Sequence, residues 1–266
     1  MRSLLFVPAD RPDRFDKACA SGAGAVIVDL EDAVASQDKE AARGTVAAWL
    51  SPERQVLLRV NGADTPWFRD DMAVAKLPGV RGVVLSKAER AEDVRAVAEA
   101  TGVVVLPLIE TARGLHQAEA IAQVRGVSRL VFGTIDFQLD LGIRGDDVEL
   151  LYFRSRLVFA SRLAGVEAPV DGVTVATHDV EKVRADAQRA RALGFGAKLC
   201  IHPAQVNAVN EAFAPSEAEL DWARRVLAQS KASSGGAAKL DGQMIDRPVV
   251  LRAEGILRDA LAGTGQ

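Results

Sequence analysis

Cysteine is almost absent from this chain: Cys19 and Cys200 are the only two in 266 residues, and they form no CxxC pair. That scarcity excludes a disulfide scaffold and a thiolate metal site. Both thiols are expected to be buried and reduced in a cytoplasmic protein. Histidine is scarce too, with three in the chain and no HExxH; GxSxG, a P-loop and a GxGxxG after the first apolar run are also missing. The common zinc-hydrolase, serine-hydrolase and nucleotide-binding signatures are thereby excluded. No excess of charge of one sign is present: 33 basic against 36 acidic residues leave a net charge of −3. Neither nucleic acid nor an anionic membrane is the expected partner. No apolar run approaches the roughly 18 residues of a membrane span. The opening run is short for a signal peptide and no cleavage site follows it, so no leader is expected.

What the chain does have is alternation. Short runs rich in Val, Ile and Leu fall at residues 4–8, 25–30, 56–60, 82–85, 103–109, 129–133, 170–175 and 197–202. Their apolar density suits parallel strands buried on both faces. Amphipathic stretches follow each in turn, at 11–20, 38–50, 67–77, 91–100, 111–124, 146–163, 178–193 and 203–213. Eight strand–helix units in a chain of 266 residues, close to the roughly 250 typical of the fold, predict an α/β fold, a (β/α)₈ TIM barrel. An open doubly wound sheet is the alternative, and the missing glycine fingerprint weighs against it. Residues 216–231 and 247–261 read as two further helices, separated by Ser233-Ser234-Gly235-Gly236, a flexible break. The chain is therefore expected to divide into a barrel domain, 1–215, and a C-terminal helical extension, 216–266.

In a TIM barrel the chemistry sits where strands end and loops begin. Polar residues collect at those ends: Asp29, Glu31 and Asp32 after strand 2, Arg59 and Asn61 after strand 3, and Ser86 and Lys87 after strand 4. Glu110 follows strand 5, Gly133, Thr134 and Asp136 follow strand 6, and His202 follows strand 8. Glu110 and Asp136 end neighbouring strands. Two carboxylates held close repel unless a cation lies between them, and a hard ion such as Mg²⁺ takes only one or two protein carboxylates. Capping of helix starts is the competing reading. Arg59, inside an apolar strand, is either paired structurally or clamps a carboxylate at the mouth. His116 and His178 fall on predicted helices, and His202 is positioned to line the mouth.

Several collinear segments resemble the citrate lyase β-subunit group of the HpcH/HpaI aldolase superfamily, which includes malyl-CoA lyases. They are LLFVPADRPDRFDKA from Leu4, VDLEDAV from Val28, LRVNG from Leu58, PLIETARGL from Pro107, LVFGTIDFQLDLG from Leu130, DGV from Asp171, GFGAKLCIHPAQV from Gly194 and GQMIDRPVV from Gly242. The family's usual VPG and LPK stand here as Val7-Pro8-Ala9 and Leu85-Ser86-Lys87. The resemblance implies Mg²⁺ on Glu110 and Asp136, and a 2-oxo acid held by Arg59 with Glu110, Gly133 and Thr134 around it. It implies CoA contacts at Arg11, Arg14 and Lys17. It implies a homotrimer or hexamer, and in citrate lyase itself an acyl-carrier partner. The expected reaction is cleavage of a 3-hydroxyacyl thioester to an acyl thioester and a 2-oxo acid such as oxaloacetate or glyoxylate. The base candidates are Glu31, Asp32 and Asp246, the last on a C-terminal segment that closes as a lid in malyl-CoA lyases. Alternatives are a CoA-independent aldolase, a thioesterase, and a keto-acid-binding accessory subunit.

Overall fold

The computed structural model describes residues 1–232 and 238–264. Eight parallel strands close a barrel in sequence order: β1 Ser3–Pro8, β2 Ala25–Asp29, β3 Val56–Val60, β4 Val80–Leu85, β5 Val104–Ile109, β6 Val131–Phe132, β7 Val170–Asp171 and β8 Ala197–Cys200. Pairing of Leu4 with Leu199 and of Leu5 with Cys200 closes the circle. Alternate residues of every strand point inward, so Leu4, Ile27, Leu57, Val84, Leu106 and Leu199 meet on the barrel axis in one apolar core. The chain is a (β/α)₈ TIM barrel followed by a C-terminal extension.

β6 and β7 are shorter than the apolar runs predicted. After Asp171 the backbone carbonyls are taken by side chains instead of a neighbouring strand: Lys198 Nζ donates to Gly172 O at 2.6 Å and Gln205 Nε2 to Thr174 O at 2.8 Å. With the carbonyls satisfied that way, no ladder is needed to continue. After Phe132 the chain turns at once into a helix, Thr134–Leu141, which ends on Gly142 at φ 68°. The sequence reading missed this helix because Gly133, at its N-cap, gives none of the Ser, Thr, Asp or Asn signals. The helix expected over 111–124 breaks at Gln117 into Ala112–His116 and Ala118–Ala122. The one expected over 178–193 starts at Val180, which leaves His178 in the preceding loop rather than on a helix. Cys200 is buried, but Cys19 is exposed, contrary to expectation. It closes the short helix Phe15–Cys19, whose buried positions belong to Phe15 and Ala18.

The chain divides into two compact units, Met1–Asn210 and Glu211–Gln266. In the second, a helix Glu217–Ala232 is capped reciprocally by Ser216 and Glu219. A hairpin of β9, Ala238–Leu240, and β10, Gln243–Ile245, follows. The sequence reading had no hairpin, yet Asp241-Gly242 at φ 50° and 79° is the Asp-Gly turn that such a hairpin favours. Helix Arg247–Thr264 completes the unit around Ala223, Val226, Ile245 and Ala253. The expected break at 233–236 lies outside the described residues. Among the described residues no helix is long and apolar enough to cross a membrane.

Candidate active site

The C-terminal mouth of the barrel holds a cavity of about 390 Å³. Its floor is apolar, with Phe6, Leu108, Phe132 and Leu199 among the lining side chains. Its polar wall carries four carboxylates, Asp29, Asp32, Glu110 and Asp136, against one guanidinium, Arg59.

The acidic wall is built outward from β2. Asp29, at the strand's last position and 2% exposed, accepts two bonds from Arg59, from Nε at 2.7 Å and from Nη2. The pair sits in register, because Asp29 and Arg59 are cross-strand partners on β2 and β3. The third guanidinium nitrogen, Nη1, lies 2.9 Å from Glu31 Oε2, and the Phe6 ring packs under the guanidinium at 4.8 Å. Arg59 is thus paired with protein carboxylates and also faces the cavity. Two of its five N–H groups hydrogen-bond to Asp29 and Nη1 has an ion-pair contact with Glu31, which leaves donor capacity for a ligand.

The loop after β2 is clamped by one group close in sequence and one distant from it. Lys39 Nζ donates to the carbonyls of Leu30 and Glu31 at 2.8 Å each, and Asn61 Nδ2 donates to Leu30 O at 3.0 Å. Lys39 is buried, with its pKa lowered by that burial. Glu31 is buried as well, and both of its oxygens face cations: Oε1 meets Lys87 Nζ at 2.7 Å and Oε2 meets Arg59. Asp32 differs. It is exposed, lines the cavity, and its carboxylate has no protein hydrogen bond among the described residues.

Glu110 follows β5 and is 1% exposed. Its Oε1 accepts the backbone N–H of Lys87 at 2.7 Å. Burial, and then the negative charges of Glu31 and Asp136, push its pKa up to about 8. Its side chain occupies the space beside Gly133: a Cβ there would lie 2.6 Å from Glu110 Oε2. Asp136 stands in the first turn of helix Thr134–Leu141, whose N-terminus, with Gly133 and the buried Thr134, borders the cavity. Oxygen donors on a cavity wall that carries excess negative charge suit a hard divalent cation. Among the described residues no three Asp, Glu, His or Cys groups form a closed metal cage. Mg²⁺ needs none, since it keeps several waters.

The remaining expected site residues of the first unit do not line this cavity. Arg11 makes an exposed two-pronged pair with Asp13, and Arg14 and Lys17 are exposed on the same segment; none of the three lines the cavity. His202 caps the turn Pro203–Gln205 through Nδ1, with the His178 ring edge-on at 4.9 Å, and Ile201 takes the place at the mouth expected for it. Asp246 belongs to the second unit, where its Oδ1 accepts the Val249 N–H at 3.2 Å and caps the last helix. The reading of the sequence missed Lys39 and the double contact of Lys87. Lys39 reaches back over its own βα connection to carbonyls eight and nine residues earlier, a contact that residue type does not announce, and Lys87 meets Glu31 and Glu110 only once the barrel closes.

A TIM barrel with an acidic, cation-ready cavity at its mouth is the scaffold of a metal-assisted enzyme acting on small acids. The HpcH/HpaI aldolase/citrate lyase family matches residues 2–203, and the chain belongs to that family. It is 40% identical to a citrate lyase subunit beta-like protein of Deinococcus radiodurans over 97% of this chain and 96% of that one. It is 35% identical to a (3S)-malyl-CoA thioesterase of Cereibacter sphaeroides, over 98% and 95%. Among solved structures, the protein CitE from Mycobacterium tuberculosis in complex with magnesium, acetoacetate and coenzyme A superposes with a TM-score of 0.86. It is 38% identical, with 97% of each chain covered.

Proposed function

We propose that the chain is a Mg²⁺-dependent carbon–carbon lyase that cleaves a 3-hydroxyacyl thioester to an acyl thioester and a 2-oxo acid. The observation that carries this reading is the mouth itself, where the buried Glu110 and the partly exposed Asp136 stand beside the open N-terminus of a helix. Glu110 and Asp136 would hold the ion. When bound, Mg²⁺ would supply a Lewis acid and a template for the substrate hydroxyl and its adjacent carboxylate. The backbone N–H groups after Gly133 would receive that carboxylate, as helix N-termini receive anions. Arg59 would stabilise the oxygen that becomes the keto group.

In the cleavage step a carboxylate takes the hydroxyl proton and the carbon–oxygen double bond forms. The adjacent carbon–carbon bond breaks toward the thioester, whose enolate then takes up a proton. Of the three candidate bases, Glu31 has both oxygens against cations and fits a framework role. Asp32, unbonded at the mouth, and Asp246 remain. Arg11, Arg14 and Lys17 would meet the CoA phosphates, and assembly as a homotrimer or hexamer belongs to the same reading.

The test is a panel of malyl-, citramalyl- and citryl-CoA with Mg²⁺, assayed for free 2-oxo acid. Its release that stops on chelation supports the lyase. Free CoA with intact hydroxy acid instead supports a thioesterase, the reading favoured by the Cereibacter sphaeroides relatives. No turnover of any free CoA thioester supports a subunit that needs an acyl-carrier partner.

A further inference from the structure

Lys87 is one of only two non-glycine residues with positive φ among the described residues, at 48°; the other, Asp241, sits in the hairpin turn. A left-handed lysine costs of order 1–2 kcal/mol, and residues held that way cluster where a site needs a particular backbone direction. Here the direction is visible. The turn aims the Lys87 N–H at Glu110 Oε1, 2.7 Å away, while the side chain runs to Glu31 Oε1, also at 2.7 Å. One residue therefore touches both the carboxylate proposed for the cation and the carboxylate that braces Arg59.

We propose that Lys87 is the positioning residue of this site, setting how Glu110 meets a cation through its backbone and where Arg59 stands through its ammonium. This rests on the cation site proposed above. The amide occupies Oε1, while Oε2, packed against Gly133, accepts no hydrogen bond from the protein among the described residues. Glu110 thus offers one oxygen. One-oxygen contact suits a small octahedral ion, whereas Ca²⁺ readily takes a carboxylate through both. The ammonium acts separately: with Glu31 held by Lys87, Glu31 in turn fixes the guanidinium face that borders the cavity.

The two halves separate in a side-chain series at this one position, read by calorimetric titration with Mg²⁺, Mn²⁺ and Ca²⁺ as well as by turnover. Lys87→Gly accepts positive φ freely, Lys87→Ala less so, and the β-branched Lys87→Val resists it. All three lack the ammonium. Metal affinity should therefore follow Gly, then Ala, then Val, with about tenfold or more between Gly and Val, and Ca²⁺ should bind at least about tenfold more weakly than Mn²⁺. Should Lys87→Val not fold, the Gly-to-Ala step carries the comparison at about threefold. On the thioester that passes the screen, Lys87→Ala should lose about tenfold or more in kcat with little change in metal affinity, and Lys87→Arg should recover part of it. Equal metal affinity across the series, or Ca²⁺ binding as tightly as Mn²⁺, overturns the backbone half. Full kcat in Lys87→Ala overturns the side-chain half. The titrations need no substrate, so a failed thioester screen leaves the backbone half testable on its own.

Discussion

Two groups of charges occupy this barrel, and they are built on opposite principles. One lies at the mouth between β2 and β6, where Asp29, Asp32, Glu110 and Asp136 line the cavity with Arg59. The other lies outside β7 and β8, beneath the surrounding helices. There Arg154 Nε meets Asp171 Oδ1 at 2.9 Å, Lys198 Nζ lies 3.6 Å from Asp171 Oδ2, and Asp186 is held by Thr174, Lys182 and Arg189. In that second group each acid faces a base. In the first, acids outnumber bases and Glu110 is left repelled by its neighbours. A buried charge without a partner is costly. The balanced group therefore reads as framework, and the unbalanced one as a place kept for a cation.

Glu110→Gln is the strongest way to break this contrast. It keeps the shape and an acceptor for the Lys87 N–H but removes the charge. Mg²⁺-dependent turnover should fall by about 10³-fold or more, equivalent to about 4 kcal/mol of lost transition-state stabilisation. The metal-free protein should melt higher than the parent in calorimetry near neutral pH, since burial and the neighbouring carboxylates hold Glu110 protonated far above its ordinary pKa, a cost that the amide does not carry. A lower melting temperature would mean that Glu110 is as well paired as Asp171. The mirror experiment is Asp171→Asn, which strands Arg154 and Lys198 without their anion. It should cost about 3–5 kcal/mol in denaturant unfolding, the usual penalty for breaking a buried pair. Metal affinity of the folded fraction should stay within a factor of about three. Loss of metal binding together with stability would merge the two groups into one.

The contrast was only partly legible in the sequence. The strands were, because Val, Ile and Leu runs buried on both faces admit few other readings. So were Glu110 and Asp136, each the first acid after a strand. Lys87 was not: nothing in Ser86-Lys87-Ala88 marks a left-handed residue, since the glycine or asparagine that usually announces one is missing. Arg59 was read as either paired or clamping a carboxylate at the mouth, and the structure pairs it with Asp29 while setting it on the cavity wall. The cluster on Asp171 was invisible, because Lys198 and Arg154 are ordinary basic residues until β7, β8 and the helix Leu151–Ala164 bring them together.

Asp246 sharpens the comparison from outside the barrel. Its capping bond predicts that Asp246→Asn keeps stability within about 0.5 kcal/mol, because asparagine caps a helix nearly as well. Asparagine cannot accept the hydroxyl proton, however. If Asp246 is the base, turnover should drop by about 10²-fold at unchanged melting temperature. Unchanged turnover would assign Asp246 to the cap alone and leave proton transfer to Asp32.

The smallest expected effect comes from a single methyl group. Gly133 has φ −87°, a conformation open to any residue, so backbone freedom does not explain its glycine. Space does. A Cβ at this position would stand 2.6 Å from both the Cβ and Oε2 of Glu110, closer than real side chains approach one another. Glu110 cannot simply retreat, because the Lys87 N–H holds Oε1 and the side chain is buried. Gly133→Ala must therefore displace the free oxygen of Glu110, shift the start of the helix, or both. Overpacking of this kind costs about 1–3 kcal/mol. Metal affinity by titration should fall by about tenfold, which corresponds to about 1.4 kcal/mol. The framework group supplies the control. At Gly172 a Cβ would land 2.2 Å from Thr134 Oγ1, so Gly172→Ala should destabilise the barrel at least as much. It presses on Thr134 instead of a carboxylate, and should disturb metal affinity less than Gly133→Ala does. Equal losses of metal affinity in the two variants would show that crowding anywhere near the mouth is enough, and that the fit between Gly133 and Glu110 has no special part in holding the ion.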